Sequence, residues 1–220
     1  MNWRCVTSRM ASEDCRVLVF AKAPRPGTVK TRLIPLLGPE RAAALHQTLV
    51  AHSLAAASAA AIGPVELWCA PDCGDAFLQD CAGTYGAILR TQIDGSLGAR
   101  MLHAFEHALQ VARGAVLIGT DCPVLGTEHI REAAHTLAAG DTAAFCPAED
   151  GGYALIGLTR CDARLFDAIR WSEASVMADT RARLRELGWR WRELATLWDV
   201  DRPEDYQRLV SSGVLTGLPH

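Results

Sequence analysis

The stretch Val17-Leu18-Val19-Phe20-Ala21-Lys22-Ala23-Pro24-Arg25-Pro26-Gly27-Thr28-Val29-Lys30-Thr31-Arg32-Leu33 constrains the fold more than any other part of the chain. Its unbroken apolar start predicts a buried strand over Arg16 to Ala21. That strand feeds a Gly/Pro loop carrying Lys22, Arg25, Lys30 and Arg32, and no acidic residue stands between Asp14 and Glu40. A strand, a loop and a helix start in this order aim backbone N–H groups and the helix dipole at one point, which favours an anion. Lysine occurs only at positions 22 and 30, against 22 basic residues in all, so the rest of the basic set is arginine. Compact, strongly hydrated lysine charges in one loop suit phosphate oxygens, although a basic loop can also be plain solvated surface. Neither the Walker spacing nor G-x-G-x-x-G is present, so the loop belongs to another phosphate-binding fold.

Composition narrows the class. In 220 residues, 50% hydrophobic, there is room for one α/β domain with a substantial core. The expected layout is an N-terminal arm over 1–15, one domain over 16–212 and a tail over 213–220. A net charge of -3 argues against nucleic acid as partner, and no apolar run is long enough to span a membrane. The first fifteen residues lack the apolar stretch of a signal peptide, which points to a cytoplasmic protein. Eight cysteines without any C-x-x-C pair read as buried free thiols rather than a disulfide frame or a zinc site.

Further strands are expected at Val65–Ala70, Gly86–Leu89, Ala115–Gly119, Thr142–Pro147, Tyr153–Leu158 and within Trp191–Leu197. Helices are expected from Pro39 to Ala61, over 75–82, from the Gly-rich loop at 95–98 to about Ala112, over 127–139, from Ser172 to Gly188, and after Asp199. Strands alternating with helices imply a mostly parallel sheet covered on both faces. His103 and His107, at i and i+4, have metal-ligand spacing but lack the Glu of H-E-x-x-H and read as a helix face.

Ligands of open α/β sheets sit beyond the carboxyl ends of the strands. Asp121 follows its strand by two residues on that side, where it can carry a divalent cation bridged to phosphate, or cap the turn before Pro123. For a second carboxylate the order of preference is Asp199, Asp150, Asp201. Asp201 has an alternative role, since Asp201-x-x-Glu204 has the form of a capping box. Asp150 precedes Gly151-Gly152, which admits either close ligand approach or a tight hairpin.

Five motifs in order carry a family resemblance: Phe20-Ala-Lys-Ala-Pro-x-Pro-Gly-x-x-Lys-Thr-Arg-Leu33, Gly95-x-Leu-Gly-x-Arg-Met101, Gly119-Thr-Asp-Cys-Pro123, Pro147-Ala-Glu-Asp-Gly-Gly-Tyr153 and Asp199-Val-Asp-x-Pro-Glu-Asp205. Together they resemble bacterial transferases of the GT-A glycosyltransferase superfamily, of the radical-SAM/selenodomain-associated type. The Lys-x-Thr/Ser-Arg-Leu element is also similar to that of 2-phospholactate guanylyltransferases, and Gly-Thr-Asp-x-Pro to the metal aspartate of molybdenum-cofactor guanylyltransferases. The resemblance implies a three-layer α/β/α nucleotide-diphospho-sugar transferase fold with a mostly parallel mixed sheet. It implies that Lys22, Lys30 and Arg32 hold donor phosphates and that Asp121 binds Mg²⁺ or Mn²⁺. Arg25, Gly27 and Thr31 complete the expected phosphate loop. Gly95, Leu97, Gly98, Arg100, Asp150, Gly151 and Gly152 are expected around the base or acceptor, with Lys22, Lys30 and Asp121 catalytic. The chain departs from relatives in having Ala21 to Ala23 where uridylyltransferases carry Gly-Gly, and in lacking a glycosyltransferase Asp-x-Asp after its central strand. The expected activity is nucleotidyl transfer from an NTP to a small anionic acceptor with pyrophosphate release. Glycosyl transfer from an NDP-sugar and a non-catalytic nucleotide-binding module are the alternatives.

Overall fold

The computed structural model describes residues 14–171, 173–215 and 218. The expected N-terminal arm up to residue 13, the helix start at Ser172, Cys5 and half of the C-terminal tail lie outside them. Seven strands form one sheet in the order β3-β2-β1-β4-β6-β5-β7. They are β1 (Cys15–Lys22), β2 (Val65–Ala70), β3 (Ile88–Thr91), β4 (Gly114–Ile118), β5 (Ala143–Pro147), β6 (Tyr153–Leu158) and β7 (Trp191–Glu193). Only β6 runs against its neighbours, β4 and β5, so the sheet is mixed and mostly parallel.

Helices cover both faces because the central strands are apolar on both. In β1, Val17, Val19 and Ala21 enter one core with Leu54, Leu78 and Ile130, from α2 (Pro39–Ala60), α3 (Ala76–Tyr85) and α5 (Thr127–Ala138). Leu18 and Phe20 enter the other with Met101, Phe105, Met177 and Leu184, from α4 (Leu97–Leu109) and α6 (Val176–Glu186). Alternate residues thus feed opposite layers, as the pleat dictates. A third cluster joins Leu45 and Leu49 of α2 to Trp198, Val200 and Leu209, the last from α7 (Pro203–Ser212). It is this cluster that carries the segment after β7 back beside β4. The seven described cysteines are free thiols, and no described helix is long and apolar enough to cross a membrane.

The structure shifts several expected boundaries. A short helix, α1 (Ile34–Leu37), precedes α2, and Gly38 at φ 77 separates the two. Strand β3 begins two residues later than expected because Gly86 is taken by the left-handed C-cap of α3. Helix α6 begins at Val176, since the residues before it are docked against the β5–β6 turn: the Met177 amide donates to Gly151 O at 2.8 Å. His103 and His107 are a helix face, each ring meeting Trp68 edge-on.

The docking at Gly151 yields a graded prediction. A Cβ on Gly151, at φ +92, would lie 2.1 Å from Ala174 O, whereas one on Gly188, at φ +63, would meet nothing within 4 Å. Gly188→Ala should therefore cost about 1 kcal/mol of left-handed strain, and Gly151→Ala roughly 3–4 kcal/mol once overlap is added. Urea unfolding of the two variants measures this, and equal losses would show that the 151–174 contact does not form in solution.

Candidate functional site

Strands β1, β2, β3 and β4 end together, and their following loops enclose two clefts. The first, about 390 Å³, is lined by Lys22, Arg25 and Thr28 from the loop after β1, by Ala70 and Pro71 after β2, and by Gln92 to Gly95 after β3, with Arg100 of α4. The second, about 270 Å³, is lined by Asp121 and Cys122 after β4, by Asp150 and Gly152 of the β5–β6 turn, and by Asp199, Tyr153, Trp171 and Glu173. Ile93, Asp94 and Gly95 face the first cleft and Leu97 the second, so the start of α4 is a ridge between them.

Lys30 joins the loop to the floor of the site. It sits in the left-handed region at φ 47, ψ 40, a backbone state unusual for a side chain that is not Gly, Asn or Asp. Its buried ammonium donates to Asp121 Oδ1 and, at 2.6 Å, to Val200 O, while the Val200 amide donates to Asp121 O at 2.8 Å. Lys30, expected among the donor-phosphate contacts, lines neither cleft, and its ammonium ties β1's loop, Asp121 and the 199–201 segment together. Protein packed around the Asp121 carboxyl favours its neutral form, and Lys30, with His46 and Lys22 further off, overcomes this and holds it below the ordinary carboxylate value.

Arg32 is likewise engaged, with Asp201, and Thr31 is exposed outside both clefts, so neither meets the expected phosphate position. Thr28 lines the cleft in their stead, its hydroxyl bonded to Arg25 O at 2.8 Å. Gly27, at φ +82, makes the loop's tight reversal. Asp201 does not cap α7. Asp205 Oδ2 accepts from the amides of Arg202 and Asp201, so the capping carboxylate is one residue beyond Glu204.

The expected base or acceptor residues divide. Gly95 and Arg100 face the first cleft; Leu97, Asp150 and Gly152 face the second. Gly98 and Gly151 serve packing instead. A Cβ on Gly98 would stand 2.9 Å from Trp171, and one on Gly151 would collide with Ala174, so the two glycines make room for Trp171 and Ala174 beside the second cleft. Sequence reasoning missed Trp171, Glu173, Gln92 and His46 as site residues. Gln92 is buried; its Nε2 donates to Trp68 O at 2.8 Å, and its Oε1 accepts from Arg100 at 3.4 Å. His46 Nε2 donates to Lys22 O at 3.1 Å, and burial lowers the ring's pKa. The helical position of His46 on the buried side of α2 was the available signal. Cys122 is no nucleophile, because burial pushes its thiol up to about 11.

Asp121, Asp150 and Asp199 face one space. Burial first, then repulsion by Asp150 and Asp121, push Asp199 up to about 6. Among the described residues no three His, Cys, Asp or Glu side chains are grouped closely enough to hold a metal unaided. Two carboxylates with crowded negative charge, open to a phosphate-bearing ligand, are nevertheless the hard-oxygen set that Mg²⁺ or Mn²⁺ takes alongside phosphate oxygens. The donor set fits such an ion.

The comparisons with known proteins concern the family and the fold. Residues 53–173, more than half of the chain, match the family described as "Uncharacterized protein conserved in bacteria (DUF2064)". The chain belongs to this family. It is 32% identical to a protein of Desulfovibrio desulfuricans G20 provisionally named a nucleotide-diphospho-sugar transferase, with a TM-score of 0.82 over 93% of this chain and 90% of that one. The fold is shared with a CMP:2-keto-3-deoxy-manno-octonic acid synthetase complexed with CTP, at 12% identity and TM-score 0.57 over 91% of this chain and 98% of the other. It is shared too with glucosyl-3-phosphoglycerate synthase of Mycobacterium tuberculosis, solved with Mn²⁺, UDP and glucosyl-3-phosphoglycerate, at 11% identity and TM-score 0.53 over 97% and 84%. The fold is therefore the three-layer nucleotide-diphospho-sugar transferase type. No curated protein matches the sequence.

Two outcomes follow from the Lys30 tie. Lys30→Met leaves the Val200 carbonyl and Asp121 without their donor and should cost about 2 kcal/mol, at the low end for a buried pair because the Asp121 side chain is 57% exposed. Thermal or urea unfolding reads it, and an unchanged midpoint would contradict the tie. A carboxylate whose folded pKa is depressed contributes stability above its unfolded value, near 3.8, and loses it as pH falls through the folded value. The stability gap between the wild type and Asp121→Asn should shift near pH 6, where Asp199 titrates under the influence of the Asp121 charge, and close below the ordinary carboxylate range.

Proposed function

We propose that this chain is a divalent-metal-dependent transferase acting on a nucleotide-activated donor. The observation that carries the reading is a basic cleft and an acidic cleft placed on either side of one ridge at the same sheet edge. In the first, Lys22 and Arg25 hold the donor's phosphates, and Arg100, steadied by Gln92, faces the nucleoside end. Asp121 and Asp199 would hold Mg²⁺ or Mn²⁺ with those phosphates, and the bound ion would offset charge on the leaving phosphate group.

The lining of the second cleft favours glycosyl over nucleotidyl transfer. Nucleotidyl transfer to an anionic acceptor calls for cations around that acceptor, and the lining there contains no Lys or Arg. In this reading the bond between the sugar's anomeric carbon and the nucleoside diphosphate breaks, a bond to the acceptor oxygen forms, and the nucleoside diphosphate leaves. The acceptor's hydroxyl proton passes to a carboxylate of the second cleft, for which Asp150 is placed.

Labelled donors test the proposal. Incubation with an NDP-sugar and Mn²⁺ should release nucleoside diphosphate. Pyrophosphate release from an NTP, without NDP-sugar turnover, would return the assignment to nucleotidyl transfer. A nucleotide-dependent rise in melting temperature with no turnover of either donor, retained in Asp121→Ala, would mark a binding module. Lys22→Ala should weaken donor binding by about 2 kcal/mol, roughly 30-fold in Kd by calorimetry, since a charge-assisted phosphate bond is lost.

A further inference from the structure

The second cleft has a charge balance and a shape that describe its acceptor. Its charged lining is wholly acidic: Asp121, Asp150, Glu173 and Asp199. Lys30 pairs with Asp121 from below, and Arg170, which is not part of the lining, pairs with Glu173 at 3.1 Å. That leaves Asp150 and Asp199, whose combined charge one divalent cation offsets. No positive side chain remains in the lining to receive an acceptor's own anion.

Trp171 lines the same cleft as these carboxylates. Its indole is held against Gly98, and the segment that follows it is fixed through Gly151, where Ala174 O approaches closer than any Cβ would allow. Tyr153 adds a second aromatic surface on the same side of the sheet, packed edge-to-face on Phe145. A rigid aromatic face sharing a cleft with hydrogen-bond acceptors matches a ring that is apolar on its C–H face and bears hydroxyl donors at its edge.

We propose that this cleft takes a neutral, polyhydroxylated ring as acceptor, its C–H face on Trp171 and its hydroxyls directed to Asp150, rather than a phosphorylated or carboxylated one. This rests on the transferase reading above, and the experiment separates the two. With saturating NDP-sugar and Mn²⁺, methyl hexopyranosides and inositol are compared with 3-phosphoglycerate, glycerol 3-phosphate and lactate as acceptors. Transfer to a neutral ring is expected, with Trp171→Ala raising the acceptor KM at least ~10-fold, Trp171→Phe restoring most of it, and donor Kd unchanged in both. Transfer confined to the anionic acceptors would overturn the proposal. So would donor hydrolysis without transfer to any neutral ring at high millimolar concentration, or an acceptor KM indifferent to Trp171→Ala. Failure of every nucleotide to bind the wild type would instead remove the donor reading, and this inference with it.

Discussion

The buried ammonium of Lys30 is the interaction on which the site depends. Three pieces of chain distant in sequence, the loop after β1, Asp121 after β4 and Val200 after β7, meet at one nitrogen. A buried cation requires partners, and here a carboxylate and a carbonyl supply them. The left-handed backbone at Lys30 is the local strain that aims the side chain inward, and it is held by contacts at both ends of that chain. The tie reinforces the bond from the Val200 amide to Asp121 O and the pairing of Arg32 with Asp201, while the apolar cluster around Trp198 and Val200 sets the segment's general position.

From that anchor the charges separate. Lys22 and Arg25 remain on the exposed side of the loop, over the first cleft with Arg100 and a single carboxylate, Asp94, while four acidic residues and no Lys or Arg line the second. The start of α4 stands between them, with Ser96 capping the helix by accepting from the Ala99 amide at 3.2 Å. Opposite charges kept apart by a rigid ridge do not neutralise one another, so each cleft retains its own field for a ligand. Lys22 and Arg25 on one side of the ridge and Asp121, Asp150 and Asp199 on the other thus give the two clefts unlike surroundings.

The same architecture explains why small residues cluster around the site. Gly98 and Gly151 admit Trp171 and Ala174 where any side chain would collide. A wall built by backbone contact moves less than one built from long side chains, and an acceptor's orientation depends on that rigidity.

The layered α/β class was legible in the largely apolar runs of β1, β2, β4, β5 and β6, because strands buried on both faces admit few polar residues, and Glu66 in β2 is buried beside Arg16 and Arg90. The basic loop and Asp121 were legible too, from strand ends followed by charged residues in Gly/Pro loops. What chain order could not reveal was the use of each charge. Lys22 and Lys30 look alike in one loop, yet the first is exposed over a cleft and the second is buried against an aspartate 91 positions away. Arg32 and Asp201 were both expected to face ligands and instead engage each other. Trp171 carried no motif, since its role arises only when α4, the β5–β6 turn and the start of α6 converge. Periodicity and turn chemistry are local and survive in one dimension; pairing among charges is settled by distances that only the folded chain creates.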